Sequence, residues 1–197
     1  MSKTPNKTTE SVTQFSPKDL ISPNKETSGV SKTVFTHISN IHSLLCKWLK
    51  IIDKGSKVVK SISALKLHEC YDDYYPYQLN TLTVELVEAT DALKNILESI
   101  EILGNQLQVL VKLHPANTAV INTWSAAQVS RQVSNIYSSL CKEYNLKRII
   151  RENIAHCRDE NLIEVYVSAW EQNVYISLDL TAYMFEEVGL SRLSIDT

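Results

Sequence analysis

Apolar residues recur along the first half of the chain at alternating steps of three and four. From Val34 they fall at Val34, Ile38, Ile41, Leu45, Trp48, Ile52, Val59 and Ile62, with Gly55 as the one gap. Such spacing keeps a single stripe of a helix apolar, so it predicts a helix over 33–66 with a heptad seam. A second seam runs through Leu79, Leu82, Leu86, Ala89, Leu93, Ile96, Ile100, Leu103, Leu107 and Leu110. Pro76 suits its first turn, where a missing N–H costs nothing, and Pro115 suits a stop. Two helices of similar length joined by a short polar segment predict an antiparallel hairpin coiled coil over 32–113.

The rest, 114–197, reads as a C-terminal region of about three helices. Ser125-Ala126-Ala127-Gln128 matches a capping box, which opens a helix reaching to about His156. Its stripe is Val129, Val133, Ile136, Leu140, Leu146, Ile150, Ile154 and Cys157, broken at Glu143. Asp159 can cap a fourth helix over roughly 160–172, with Leu162, Tyr166 and Ala169 on one face and Ile163 and Trp170 beside it. The piece Ile163–Val167 also alternates as a strand would. A last helix near 177–188 buries Leu178, Ala182 and Phe185, with Gly189 as a left-handed stop and Leu190 folding back. The fold class expected is therefore all-α.

Residues 1–31 differ. They hold eleven Ser or Thr and three of the five prolines, with few large apolar groups. Such a stretch buries too little to offset its ordering entropy and reads as a disordered tail. Thr4, Ser16 and Ser22 each precede a proline, and Thr4 and Ser22 also have Lys three residues on, the pattern of cyclin-dependent kinase acceptors. Lys18-Asp19-Leu20-Ile21 has the form of a weak cyclin-docking segment; the alternative is a solvated tail with chance Ser-Pro pairs.

Charge sharpens the hairpin expectation. Residues 1–66 carry eleven basic and four acidic groups, residues 67–113 two and eight, and residues 114–197 seven and ten. A basic first helix and an acidic second are expected to face each other. The formal net charge of -2 suits no protein held mainly on phosphate backbone, so direct nucleic-acid binding is not expected.

Little points to catalysis. The four glycines make no phosphate-cradling motif. No run of eighteen apolar residues predicts a membrane span. Cys46, Cys70, Cys141 and Cys157 form no C-x-x-C pair and read as reduced thiols. His42 and Cys46, one helical turn apart, supply half a zinc site. His156 and Cys157 point about 100° apart on a helix and make no dyad. Asp72 and Asp73 sit beside tyrosines at the hairpin tip, where no desolvation raises a pKa. No cofactor or metal is expected. Lys147, Arg148 and Arg151 form a basic cluster near the end of the third helix, which the helix dipole favours. Arg148, through its planar fork, is the best candidate for a partner carboxylate.

Several segments together resemble the cyclin-dependent kinase 2-interacting protein family. They are His42-Ser43-Leu44-Leu45-Cys46-Lys47-Trp48 followed by Asp53 and Gly55, and a block from Thr123-Trp124 through Lys142-Glu143, Leu146-Lys147-Arg148, Ala155-His156, Asp159, Leu162, Tyr166, Ser168 and Trp170 to Tyr175. Ser125 and Val174 stand where the resemblance leads one to expect proline, and Glu171 where it leads one to expect an apolar residue. The resemblance implies a small nuclear adaptor without enzymatic activity. Its implied partners are a cyclin-dependent kinase with its cyclin, a Cdc7-type kinase, replication origin and helicase components, the ATR-interacting protein and the subunits of a AAA+ ATPase. Lys147, Arg148, Arg151 and Tyr166 are the candidate partner-binding residues; Trp124 and Trp170 are expected to pin the C-terminal helices. A structural coiled-coil subunit of another assembly, such as a kinetochore or trafficking tether, is the competing expectation.

Overall fold

The computed structural model describes residues 25–68, 76–113, 118–191 and 193. The acceptors Thr4, Ser16 and Ser22, the Asp72-Asp73 tip, Cys70 and Pro115 lie outside them. Five helices carry the fold: α1 (Lys25–His68), α2 (Tyr77–Leu113), α3 (Ala126–Asn153), α4 (Glu160–Glu171) and α5 (Leu178–Glu186). Between α2 and α3 lies a small hairpin, β1 (Ala119–Ile121) paired antiparallel with β2 (Trp124–Ser125), which the residue pattern did not announce.

Every apolar position of the α1 seam is buried, and so are seven of its α2 counterparts, Leu79, Leu86, Ala89, Leu93, Ile96, Ile100 and Leu107. Leu82, Leu103 and Leu110 are half-buried at the seam's edges. Helix α1 begins six residues before the expected end of the tail. Val30 in this extra turn packs against the core, and Thr33 Oγ1 donates to Gly29 O at 3.0 Å. The polar composition that suggested disorder thus conceals a helix continued by one apolar anchor.

The expected opposition of charge between α1 and α2 is not how the hairpin closes. The described ion pairs of α1 run within the helix, Lys57 to Asp53 at 2.9 Å, or across to α4, where Lys60 meets Glu171. Those of α2 run from Lys94 to Glu98 or across to α3, where Asp91 lies 3.9 Å from Arg151. Apolar seams do the joining, because the lysines and carboxylates sit on the outward faces.

The C-terminal region does not form a separate bundle. Helix α3 packs along α2, α4 lies against α1, and α5 touches both α1 and α3. One core cluster combines the first half of α1, the second half of α2, the first half of α3 and Phe185 of α5. A smaller cluster combines the end of α1, the start of α2, Ile150 and Ile154 after mid-α3, and Trp170 of α4. Within α3, the capping box is complete: Gln128 N donates to Ser125 Oγ at 3.3 Å and Ser125 N to Gln128 Oε1 at 2.8 Å. Helix α5 stops in a Schellman turn, with Leu190 N donating to Phe185 O and Gly189, at φ 73°, donating to Glu186 O.

Candidate functional site

The densest chemistry lies where α3, α4 and α1 meet. Asp159 caps α4 as expected, accepting from Asn161 N at 3.0 Å and Leu162 N at 3.3 Å. The strand-like piece Ile163–Val167 is helical. Helix α4 buries Ile163 and Trp170 rather than Leu162, which is exposed. The reason is Gly55. Without a side chain there, the Trp170 indole seats directly on α1 and its Nε1 donates to Ile52 O at 3.2 Å. A methyl group at Gly55 would come within 2.5 Å of the indole ring. The one gap in the α1 seam is therefore a socket. Glu171 secures the seat by accepting from Ser56 Oγ at 2.9 Å and pairing with Lys60.

Beneath this contact, Glu143 and Lys147 are both fully buried and form an ion pair at 2.7 Å. Lys147 Nζ also donates to Ala169 O at 2.7 Å and Gln172 O at 2.8 Å, closing carbonyls that the end of α4 leaves free. Glu143 Oε2 accepts from Tyr175 N at 2.8 Å, and Lys147 Nζ lies 5.9 Å from the centre of the Trp170 ring. Burial pulls the Lys147 ammonium below its ordinary range, against the opposing hydrogen bond and charge of Glu143. The apparent break in the α3 stripe at Glu143 is thus one half of an interior latch.

That result corrects one candidate. Lys147 has no surface to offer a partner, because all its donors are used inside the chain. Arg151 is mostly covered: Nη1 donates to Thr90 Oγ1 at 3.2 Å and Nη2 to Glu152 Oε1 at 3.1 Å, which stitches α3 to α2. Tyr166 is half-buried against the smaller cluster. Arg148 alone of the four projects outward, its side chain 45% exposed, with Glu152 3.5 Å away on the next turn. Arg151, Glu152 and His156 line a groove of about 650 Å³ with Tyr77, Thr83 and Val87 of α2. Farther along α3, Tyr137 faces Glu101 of α2 and Cys141, and its hydroxyl is pushed up to about 12, first by burial and then by those neighbours.

The other candidate chemistry is structural. His42 Nε2 lies 3.0 Å from Ser191 O, and its ring meets Phe185 edge-on at 4.9 Å. Cys46 Sγ stands 3.8 Å from His42 Nδ1. Cys157 Sγ contacts Asp159 O at 3.5 Å. Among the described residues, no group of three or more His, Cys, Asp or Glu could hold a metal ion. No described helix is long and apolar enough to cross a membrane. Gly55, Glu143 and Thr90 escaped the sequence reading as site residues. A Glu-Lys pair at i,i+4 inside an apolar stripe was the available signal for Glu143.

No protein-family model matches the chain. Among curated proteins, it is similar to cyclin-dependent kinase 2-interacting proteins of three mammals. The Bos taurus protein is 25% identical over 79% of this chain and 87% of its own length. The Mus musculus protein is 27% identical over 80% and 87%, and the Homo sapiens protein 23% over 81% and 88%. These identities support a distant relationship that runs along most of both chains.

Proposed function

We propose that this chain is a non-catalytic helical adaptor in the nucleus. It would join a cyclin-dependent kinase with its cyclin, and a Cdc7-type kinase, to replication origin and helicase components. It would also serve checkpoint signalling through the ATR-interacting protein, and act as an accessory subunit of a AAA+ ATPase assembly. The observation that carries the reading is likeness along four fifths of the chain to proteins named for binding cyclin-dependent kinase 2. A helical bundle in which Arg148 stands outward on α3 supports it. The test is affinity purification from nuclear extract with wild type and Arg148→Glu. Wild type should retain replication factors or a AAA+ ATPase. Arg148→Glu should lose them while its melting temperature stays within about two degrees, since a like-charge i,i+4 contact with Glu152 costs only ~0.2–0.5 kcal/mol. Motor or membrane components in place of replication factors would favour the tether reading instead.

A further inference from the structure

His42 does more than hold the segment after α5 against α1. Its Nε2 lies 3.0 Å from Ser191 O. A carbonyl only accepts, so that nitrogen carries the hydrogen and the neutral ring keeps Nδ1 as an open acceptor. Nδ1 is turned to Cys46 Sγ, one helical turn on, at 3.8 Å. Phe185, edge-on at 4.9 Å, holds the plane of the ring. A thiol, a base within reach of its proton and a third group that orients the base are the three parts of an activated nucleophile. Lys50 lies one further turn along the same side of α1 and is exposed, so its charge steadies a thiolate as it forms. Asp53, next on that side, is engaged by Lys57 at 2.9 Å.

The other described thiols have no such base. Cys46, Cys141 and Cys157 are all half-buried, so exposure does not rank them. Cys157 Sγ donates to Asp159 O at 3.5 Å, and a carbonyl cannot take the proton away. Cys141 is hydrogen-bonded to the Tyr137 hydroxyl, which at about 12 keeps its own hydrogen, and the Glu101 carboxylate on the same hydroxyl opposes a negative sulfur. We propose that Cys46, with His42 as its base, is a peroxide-sensitive modification site. The Sγ–H proton passes to His42 Nδ1 as the sulfur attacks one oxygen of hydrogen peroxide. The S–O bond forms, the O–O bond breaks, and the leaving hydroxide takes the proton back from His42 as water. Sulfur gives up two electrons to the peroxide, and Cys46 becomes a sulfenic acid that a small thiol can reduce. The site stands apart from Arg148 and does not rest on the adaptor reading.

The test exposes the reduced full chain to hydrogen peroxide with dimedone present, and maps the trapped sulfenic acid on tryptic peptides by mass spectrometry. Cys46 should be trapped about tenfold faster than Cys141 or Cys157. His42→Ala should slow trapping at Cys46 about tenfold and leave the other two thiols alone. Alanine suits the helix, and a loosened fold would bare the thiol and speed its reaction. Slowing therefore reads the lost base rather than lost packing. Equal rates at the three thiols overturn the proposal. So does an unchanged or faster Cys46 in His42→Ala, which would assign its reactivity to exposure alone. Should His42→Ala lose its helical circular dichroism, the ranking of the three thiols in the wild-type chain decides by itself.

Discussion

The two core clusters hold the same helices together by different means. The larger one, around Ile38, Trp48, Leu93, Ile100 and Val133, is apolar side chain against apolar side chain. Its stabilisation follows the area removed from water, at about 25 cal/mol per Å². The smaller one, around Val59, Leu86, Ile150 and Trp170, has less apolar surface and is bordered by polar groups that each need a particular partner. Glu143 and Lys147 match each other and the end of α4; Trp170 matches a carbonyl; Arg151 matches a buried Thr90. Removing one member of a matched set leaves another stranded in a dry place, whereas a volume-conserving apolar swap keeps most of the contact it alters. The same chain thus contains a region tolerant of conservative change and a region that is not.

The largest expected effect tests that contrast directly. Lys147→Met strands the Glu143 carboxylate and uncovers the α4 carbonyls, so it should cost about 3–5 kcal/mol by urea unfolding. Adding Glu143→Leu should recover only part of the loss, because the stranded charge is gone but Ala169 O, Gln172 O and Tyr175 N remain without their partners. Leu140→Met in the larger cluster, a change of similar size, should cost less than about 1.5 kcal/mol. Equal costs for the two single variants would abolish the distinction between the clusters.

The glycines offer a second comparison. Gly55→Ala drives a methyl group into the Trp170 ring and should cost about 1–3 kcal/mol despite better helix propensity. At Gly104 an added methyl meets only Val133 Cγ1, at an ordinary 3.6 Å. Gly104→Ala should therefore stabilise by about 0.5–1 kcal/mol. Thermal melting of the two variants should move in opposite directions, and movement in the same direction would show that Trp170 does not occupy the socket.

The smallest effects are in acid. Beside the smaller cluster, the hydrogen bond from Lys60, and then that from Ser56, holds the Glu171 carboxyl below its ordinary 4.5. A carboxylate depressed in the folded state contributes stability above its unfolded value and loses it as pH falls through the folded one. Glu171→Gln should lower the melting temperature slightly above pH 4.5 and flatten its fall below, so that the two proteins converge in acid. On α1 beside the larger cluster, burial holds His37 below 6.5, so the unfolded chain takes up the proton first. Stability there falls as pH drops below 6.5, and His37→Gln should remove that shallow slope. Melting curves across both windows check the pair.

The difference between the clusters also explains what could be read in advance. Seams at Val34–Ile62 and Leu79–Leu110 betray themselves, since burial by area imposes a period that any single helix displays. The capping residues Ser125 and Asp159 were legible for a related reason, because a cap answers groups only two or three residues away. The latch was not. Glu143 and Lys147 break the rule that charges face water, and what permits it is their partners at Ala169, Gln172 and Tyr175, which lie beyond the reach of a local pattern. Lys147 therefore resembled a surface residue, and the opposed charges of α1 and α2 suggested a contact that their outward placement denies. Gly55 was legible as a gap but not as a socket, since its occupant comes from Trp170.

That occupant has a kinetic consequence. The Trp170–Ile52 hydrogen bond joins residues 118 apart in sequence. The α1–α2 hairpin closes over a short connection, whereas seating Trp170 requires α2 and α3 to be gathered first, and loop closure of that span is entropically costly. Assembly should thus begin at the hairpin and end at the socket. The indole reports the last step itself. In stopped-flow refolding of a variant with Trp48→Phe and Trp124→Phe, the blue shift of Trp170 emission should lag the helical signal in far-ultraviolet circular dichroism. Coincident signals would mean that the socket fills as the hairpin forms.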